Sequence, residues 1–174
     1  EYKMALLADS GNEMAWNSMG VCMAALGRKE EARHHFLEAL KRSQEAEQCA
    51  QILYNLGTIS QSLGEDDKAT SYFEQCVEKQ PRHLYAIIRL GELYEHAGRR
   101  QEAKERYKQA AALEDAGQAG SSLALRHLAG LASREDRGDK ARSILQEALQ
   151  HNPGDAAAML MLARIYLDCG EDPA

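Results

Sequence analysis

Residues 50–83 read AQILYNLGTISQSLGEDDKATSYFEQCVEKQPRH, two amphipathic helical patterns separated by Gly64 and closed by Pro81. In the first pattern Leu53, Leu56, Gly57 and Ser60 recur at the spacing that gathers residues on one helical face. Ala69, Phe73, Cys76 and Val77 do the same in the second. Gly64 stands where the first pattern stops, and a left-handed residue there satisfies the last carbonyls at low steric cost. Pro81 cannot continue the second helix. The stretch is a helical hairpin.

The hairpin recurs in both directions along the chain. Leu56-Gly57 returns as Leu90-Gly91, and Ala69 and Phe73 return as Ala103 and Tyr107. Taking Gly20, Gly57, Gly91, Ala129 and Ala163 as equivalent small residues, the spacings are 37, 34, 38 and 34. The extra residues fall at Ser43–Glu47 and Asp115–Ser121, which are polar or small and read as lengthened helix ends or loops. Upstream, Trp16, Met19, Gly20 and Met23 form one apolar face, Gly27 ends it, and Ala32, Phe36, Ala39 and Leu40 form the next. Downstream, Leu125, Leu128, Ala129 and Ala132 are followed by Ala141, Leu145, Ala148 and Leu149. There Asp136 stands where the other turns carry Gly, which predicts a distorted or longer first helix.

Both ends carry partial patterns. Tyr2, Ala5 and Leu6 match Phe36, Ala39 and Leu40, so residues 1–12 read as the second helix of a truncated unit. Full units follow at 13–49, 50–83, 84–121 and 122–155, and 156–174 supplies the first helix of a further one, with Met159, Leu162, Ala163 and Tyr166 on its apolar face. Glu171-Asp172-Pro173 reads as the start of another helix. The fold class is all-α, a single array of antiparallel helix pairs. A lone hairpin cannot cover its apolar face, and only stacked neighbours bury it.

Composition excludes several function classes. The chain is 44% apolar and 28% charged, with a net charge of −6 and acids and bases interspersed. No basic stripe of the kind that displaces counterions from phosphate is present, which argues against nucleic acid as a partner. No apolar run approaches the roughly 18 residues of a membrane span. The longest candidate, Ala156–Ala163, is interrupted by Arg164. The chain opens at Glu1 without an initiator Met or a signal-peptide pattern, and so reads as part of a longer protein. Cys22, Cys49, Cys76 and Cys169 match no C-x-x-C or zinc spacing, and as unpaired thiols they favour a reducing, cytoplasmic compartment.

Chemistry-bearing residues are scattered. His34-His35 with Glu38 sets a carboxylate one turn from a histidine, but no third metal ligand accompanies them. No nucleophile–base set, phosphate-cradling Gly loop or paired catalytic carboxylates can be assembled. The expectation is no enzyme, no metal and no cofactor.

The segments AWNSMGVCMAALGRKEEARHHFLEAL, LYNLGTISQSLGEDDKATSYFEQCVEKQP and IIRLGELYEHAGRRQEAKERYKQAA together resemble the tetratricopeptide repeat, a helix–turn–helix of 34 residues. HLAGLASREDRGDKARSILQEALQHNP and MLMLARIYLDCGEDPA carry the resemblance to the end of the chain. It implies a right-handed superhelical solenoid of about four full units with partial units at both ends, whose first helices line a concave groove. Mapped onto this sequence, the groove takes Asn17 and Val21 from the first unit and Tyr54, Asn55 and Thr58 from the second. Tyr85, Ile88, Arg89, Glu92 and His96 come from the third, Arg126 and His127 from the fourth, and Arg164 from the last helix. The chaperone-tail clamp of one branch of the family is broken here. Asn55 and Arg89 fall on clamp positions, but Asn17, Val21 and Tyr85 stand where Lys, Asn and Lys are needed.

Arg89, Arg126 and Arg164 have two readings. They can be a solvated face paired with residues such as Glu92 and Asp168, or planar donors for an acidic segment of a partner. The expected function is a non-enzymatic scaffold that binds a partner's peptide or helix in the groove. Two alternatives are a targeting or regulatory segment of a larger enzyme, such as a glycosyltransferase, and self-assembly through exposed terminal helices, where Leu162 and Tyr166 would lack a neighbour.

Overall fold

The computed structural model describes residues 12–113, 117–135 and 137–169, with backbone alone at 118 and 169. The expected helix at Tyr2, Ala5 and Leu6, the start of a helix at Glu171, and the turn residue Asp136 lie outside the described residues. Among those described, nine helices follow one another with no strand. They are α1 (Glu13–Ala25), α2 (Lys29–Arg42), α3 (Ala46–Ser62), α4 (Asp66–Lys79), α5 (Leu84–His96), α6 (Arg100–Ala111), α7 (Gly117–Arg134), α8 (Gly138–His151) and α9 (Ala156–Cys169).

The turns within hairpins are built one way. Gly27, Gly64 and Gly98 take φ of 74–76°, the left-handed region that glycine reaches without strain. Their amides donate to Ala24, Gln61 and Glu95, and the next residue's amide reaches back five positions, from Arg28 to Met23, Glu65 to Ser60 and Arg99 to Tyr94. This double closure satisfies carbonyls that the helix end leaves unpaired. Arg137 N donates to Ala132 O at 3.1 Å in the same way, so the fourth turn closes in register although its sequence lacks the glycine. The first helix is not lengthened into this turn, since α7 ends two residues before position 136 just as α3 ends two before Gly64. At 18 residues α7 exceeds the 17 of α3, and both start upstream of their repeat boundaries, at Gly117 and Ala46.

Side chains fix three of the other helix starts. Asn12 Oδ1 accepts from Ala15 N at 3.0 Å ahead of α1, and His83 Nδ1 accepts from Ala86 N at 3.2 Å ahead of α5. Asp155 Oδ1 accepts from Ala157 N and Ala158 N, both at 3.1 Å, ahead of α9.

Contacts divide the chain into two compact units, Glu1–Ala86 and Ile87–Ala174. In the first, α1 packs on α2, α2 on α3 and α3 on α4, around Ala32, Phe36, Ala39, Ile52, Leu56 and Ile59. In the second, α6 packs on α7, α7 on α8 and α8 on α9, around Leu125, Ala129, Ala132, Ala141, Leu145 and Ala148.

Glycine is required where paired helices touch. A Cβ on Gly20 would lie 2.5 Å from Phe36 Cδ1, and one on Gly57 would lie 2.6 Å from Phe73 Cε1. At Gly91 it would run into Tyr107 Cε1. Tyr107 is fully buried and cannot swing aside. In the fourth hairpin the large residue is Leu145 rather than an aromatic, and the small one is Ala129 rather than Gly, both buried in one cluster. Replacing Gly91 by leucine should therefore overpack the α5–α6 contact and destabilise the second unit by about 1–3 kcal/mol. Thermal unfolding followed by circular dichroism checks this, and an unchanged midpoint would refute the packing.

Candidate binding face

In the first unit the expected face is carried by α1 and α3. Asn55 Nδ2 donates to Asn17 Oδ1 at 3.1 Å, which ties the two first helices together, and Gln51 Nε2 donates to Asn55 Oδ1 at 3.3 Å. Thr58 is exposed and its hydroxyl donates to Tyr54 O at 3.0 Å. Val21 and Tyr85 are 49% and 57% exposed, large enough fractions for their apolar surface to be offered to a partner. Tyr85 lines a cleft of about 520 Å³ together with Glu47, Gln51, Gln80 and His83. Glu47, Gln80 and His83 were not among the expected face residues. They stand at helix boundaries, where helical periodicity carries no information about facing.

Tyr54 is half-buried, and its ring packs 5.7 Å from Phe73 and 4.9 Å from His83, centroid to centroid. Burial holds the His83 imidazole below its usual pKa, in keeping with an unprotonated Nδ1 that accepts the Ala86 amide. The neutral form is the one folding favours. That contribution is complete above the ordinary histidine value of about 6.5 and is lost as pH falls below it.

In the second unit the expected residues are largely engaged with one another. Ile88 is corrected outright: at 3% exposure it belongs to the core, between two equally buried neighbours, Ile87 and Leu90. Arg89 Nη1 donates to Glu92 Oε2 at 2.8 Å, and Glu92 also faces His127 Nε2 at 3.5 Å. The His127 ring stacks on Tyr107 at 4.8 Å and 15°. Burial lowers its pKa, against the opposing pull of Glu92 and Glu95. Tyr107 Oη donates to Glu95 Oε2 at 3.1 Å, and Arg134 pairs with the other oxygen of Glu95. Arg126 Nε lies 3.1 Å from Asp155 Oδ2. His96 is exposed, and Arg164 and Asp168 are both exposed with their charged atoms 4.0 Å apart.

The last helix also differs from expectation. Leu162 packs against the second core, and Tyr166 lies under Arg142 with Gln146 Nε2 3.5 Å from its hydroxyl. Met159, Leu160 and Leu167 are exposed instead. Near α1, His35 packs 5.4 Å from Trp16, while hydrogen bonds from Lys41 and Arg42 hold the Glu38 carboxyl down to about 2. Among the described residues no group of His, Cys, Asp and Glu could hold a metal, and no helix is long and apolar enough to cross a membrane. Cys22, Cys49 and Cys76 are free thiols, and burial pushes that of Cys76 up to about 12. The Cys169 side chain lies outside the described residues.

Three tetratricopeptide repeat profiles match the chain, over residues 12–82, 86–119 and 132–174. The chain is a tetratricopeptide-repeat protein. Solved structures of the same fold agree. MamA superposes with a TM-score of 0.75 at 19% identity, over 90% of this chain and 87% of that one. YrrB, described as a TPR protein with an unusual peptide-binding site, gives 0.70 at 22% identity, over 91% and 78%. A tetratricopeptide-repeat protein from Parabacteroides merdae gives 0.77 at 20% identity, over 98% and 65%. In sequence, the photosystem I assembly protein Ycf3 of Rippkaea orientalis is 33% identical over 96 residues, 55% of this chain. The match spans 56% of that relative's length. The tetratricopeptide-repeat fold and its neighbours support a protein–protein interaction scaffold.

Proposed function

We propose that this chain is a non-enzymatic scaffold that holds a peptide or helix of a partner protein against the α1–α3 face of its first unit. The supporting observation is the side-by-side amide pair of Asn17 and Asn55, flanked by the exposed Val21, Thr58 and Tyr85. Amides present donors and acceptors to a backbone, and an exposed aromatic and an aliphatic group supply apolar contact beside them. YrrB, whose description records a peptide-binding site, has the same fold and is consistent with this reading. The second unit is the lesser contributor, since Arg89, Glu92 and His127 are engaged with each other.

The test is affinity capture with the wild-type chain and a Val21→Glu/Thr58→Lys/Tyr85→Ala variant. These three positions are exposed, so the variant should fold, as circular dichroism can establish. Loss of one contact worth about 1.4 kcal/mol weakens binding tenfold, and three changes should reduce capture by at least that factor. Equal capture by the folded variant would overturn the assignment.

A further inference from the structure

The second unit contains a separate cavity of about 80 Å³ where α6, α7 and α8 meet. Leu128, Leu131, Ala132 and Ile144 form its walls, and its rim carries Lys104, Lys108 and Lys140. Leu131 and Ala132 are almost wholly buried, and Leu128 and Ile144 partly so. Water in so apolar a site finds few hydrogen-bond partners, so an aliphatic group displaces it favourably. The size admits one branched side chain.

The charges around the opening are unbalanced. Glu135 also borders it, but its carboxylate lies 3.6 Å from Arg137. Lys108 pairs with Glu105 at 3.2 Å. Lys104 and Lys140 make no side-chain hydrogen bond or ion pair among the described residues. A chain of net charge −6 thus sets two unengaged ammonium groups beside an apolar hole. Residues 128, 131 and 132 of α7 share one helical face, distinct from the face that carries Arg126 and Arg134.

We propose that this cavity is a docking site for an acidic segment of a partner protein, which inserts one leucine-like side chain between flanking carboxylates. The lysines attract and orient the carboxylates, and the hole selects for the aliphatic anchor. A polyanion such as nucleic acid would use the lysines and leave the hole empty. The site is independent of the α1–α3 face.

The probe is a fluorescein-labelled peptide, Gly-Asp-Glu-Leu-Glu-Asp-Gly, titrated with the whole chain and followed by anisotropy. Three comparisons accompany it: the same peptide with its leucine replaced by serine, an uncharged Asn/Gln version, and the Lys104→Glu/Lys140→Glu variant. Each change should weaken binding about tenfold or more. The methyl resonances of Leu128, Leu131 and Ile144 should shift on binding. The Val21→Glu/Thr58→Lys/Tyr85→Ala variant should bind the peptide as the wild type does. Equal affinity for the leucine and serine peptides would reduce the site to a charged patch and overturn the proposal. So would the absence of saturable binding, or saturable binding that leaves those methyls unmoved.

Discussion

Truncating Phe73 to alanine is expected to destabilise the first unit by about 3–5 kcal/mol. The ring is wholly buried and fills the space that Gly57 leaves by having no side chain. Gly57 on the facing helix has no side chain to fill the vacancy, and the rings of Tyr54 and His83 already pack against each other. Trp16, the chain's single tryptophan, packs against the core of this unit, so its fluorescence in urea reports the relevant transition. Repeat arrays need not unfold in one step, which makes a local reporter preferable to a global one. The pairing itself is tested by a second substitution. Gly57→Ala should be clearly destabilising in the wild type, where the new Cβ meets the ring at 2.6 Å, and close to neutral beside Phe73→Leu. Strict additivity of the two changes would contradict the contact.

That glycine–aromatic pair also shows why the fold was legible. Gly20 and Phe36, Gly57 and Phe73, Gly91 and Tyr107, and Ala129 and Leu145 each stand 16 residues apart. The small-to-large compensation in the fourth pair marks one contact repeated four times. Turn closure is equally regular, since the amides of Arg28, Glu65, Arg99 and Arg137 each follow the small residue by eight positions. The candidate face was less legible. Periodicity places a residue on its own helix, but a first helix in an array is covered from several sides, so the buried arc is wider than one stripe. Ala86, Ile87 and Ile88 are consecutive and all buried, which no single amphipathic face permits. Tyr54 and His127 are half-buried and pack against rings of other helices, Phe73 and Tyr107, contacts that periodicity within one helix does not show. The lysine-rimmed cavity draws on three helices and leaves no local signature in any of them.

Replacing Asp155 by alanine is expected to cost the second unit about 2–4 kcal/mol, combining a lost helix cap with an orphaned buried hydroxyl. One carboxylate oxygen accepts the Ala157 and Ala158 amides at the start of α9. The other accepts the hydroxyl of Ser122 at 2.6 Å, and Ser122 is fully buried on α7. Arg126 Nε stands 3.1 Å from that same oxygen. Asp155→Asn keeps the shape and part of the cap, so it should cost less than alanine. Burial by itself would raise the carboxyl's pKa, but the bonds from Ser122 and the two amides, with the charge of Arg126, outweigh it and hold the value below the ordinary one. A carboxyl whose folded value lies below its unfolded value near 3.9 stabilises fully above that pH, and the contribution fades as pH falls through the folded value. The wild type and Asp155→Ala should therefore differ most at neutral pH and converge in acid. Urea unfolding by circular dichroism at pH 7 and at pH 3 makes the comparison. A difference that stays constant between them would mean that the carboxylate's charge plays no part in joining α7 to α9.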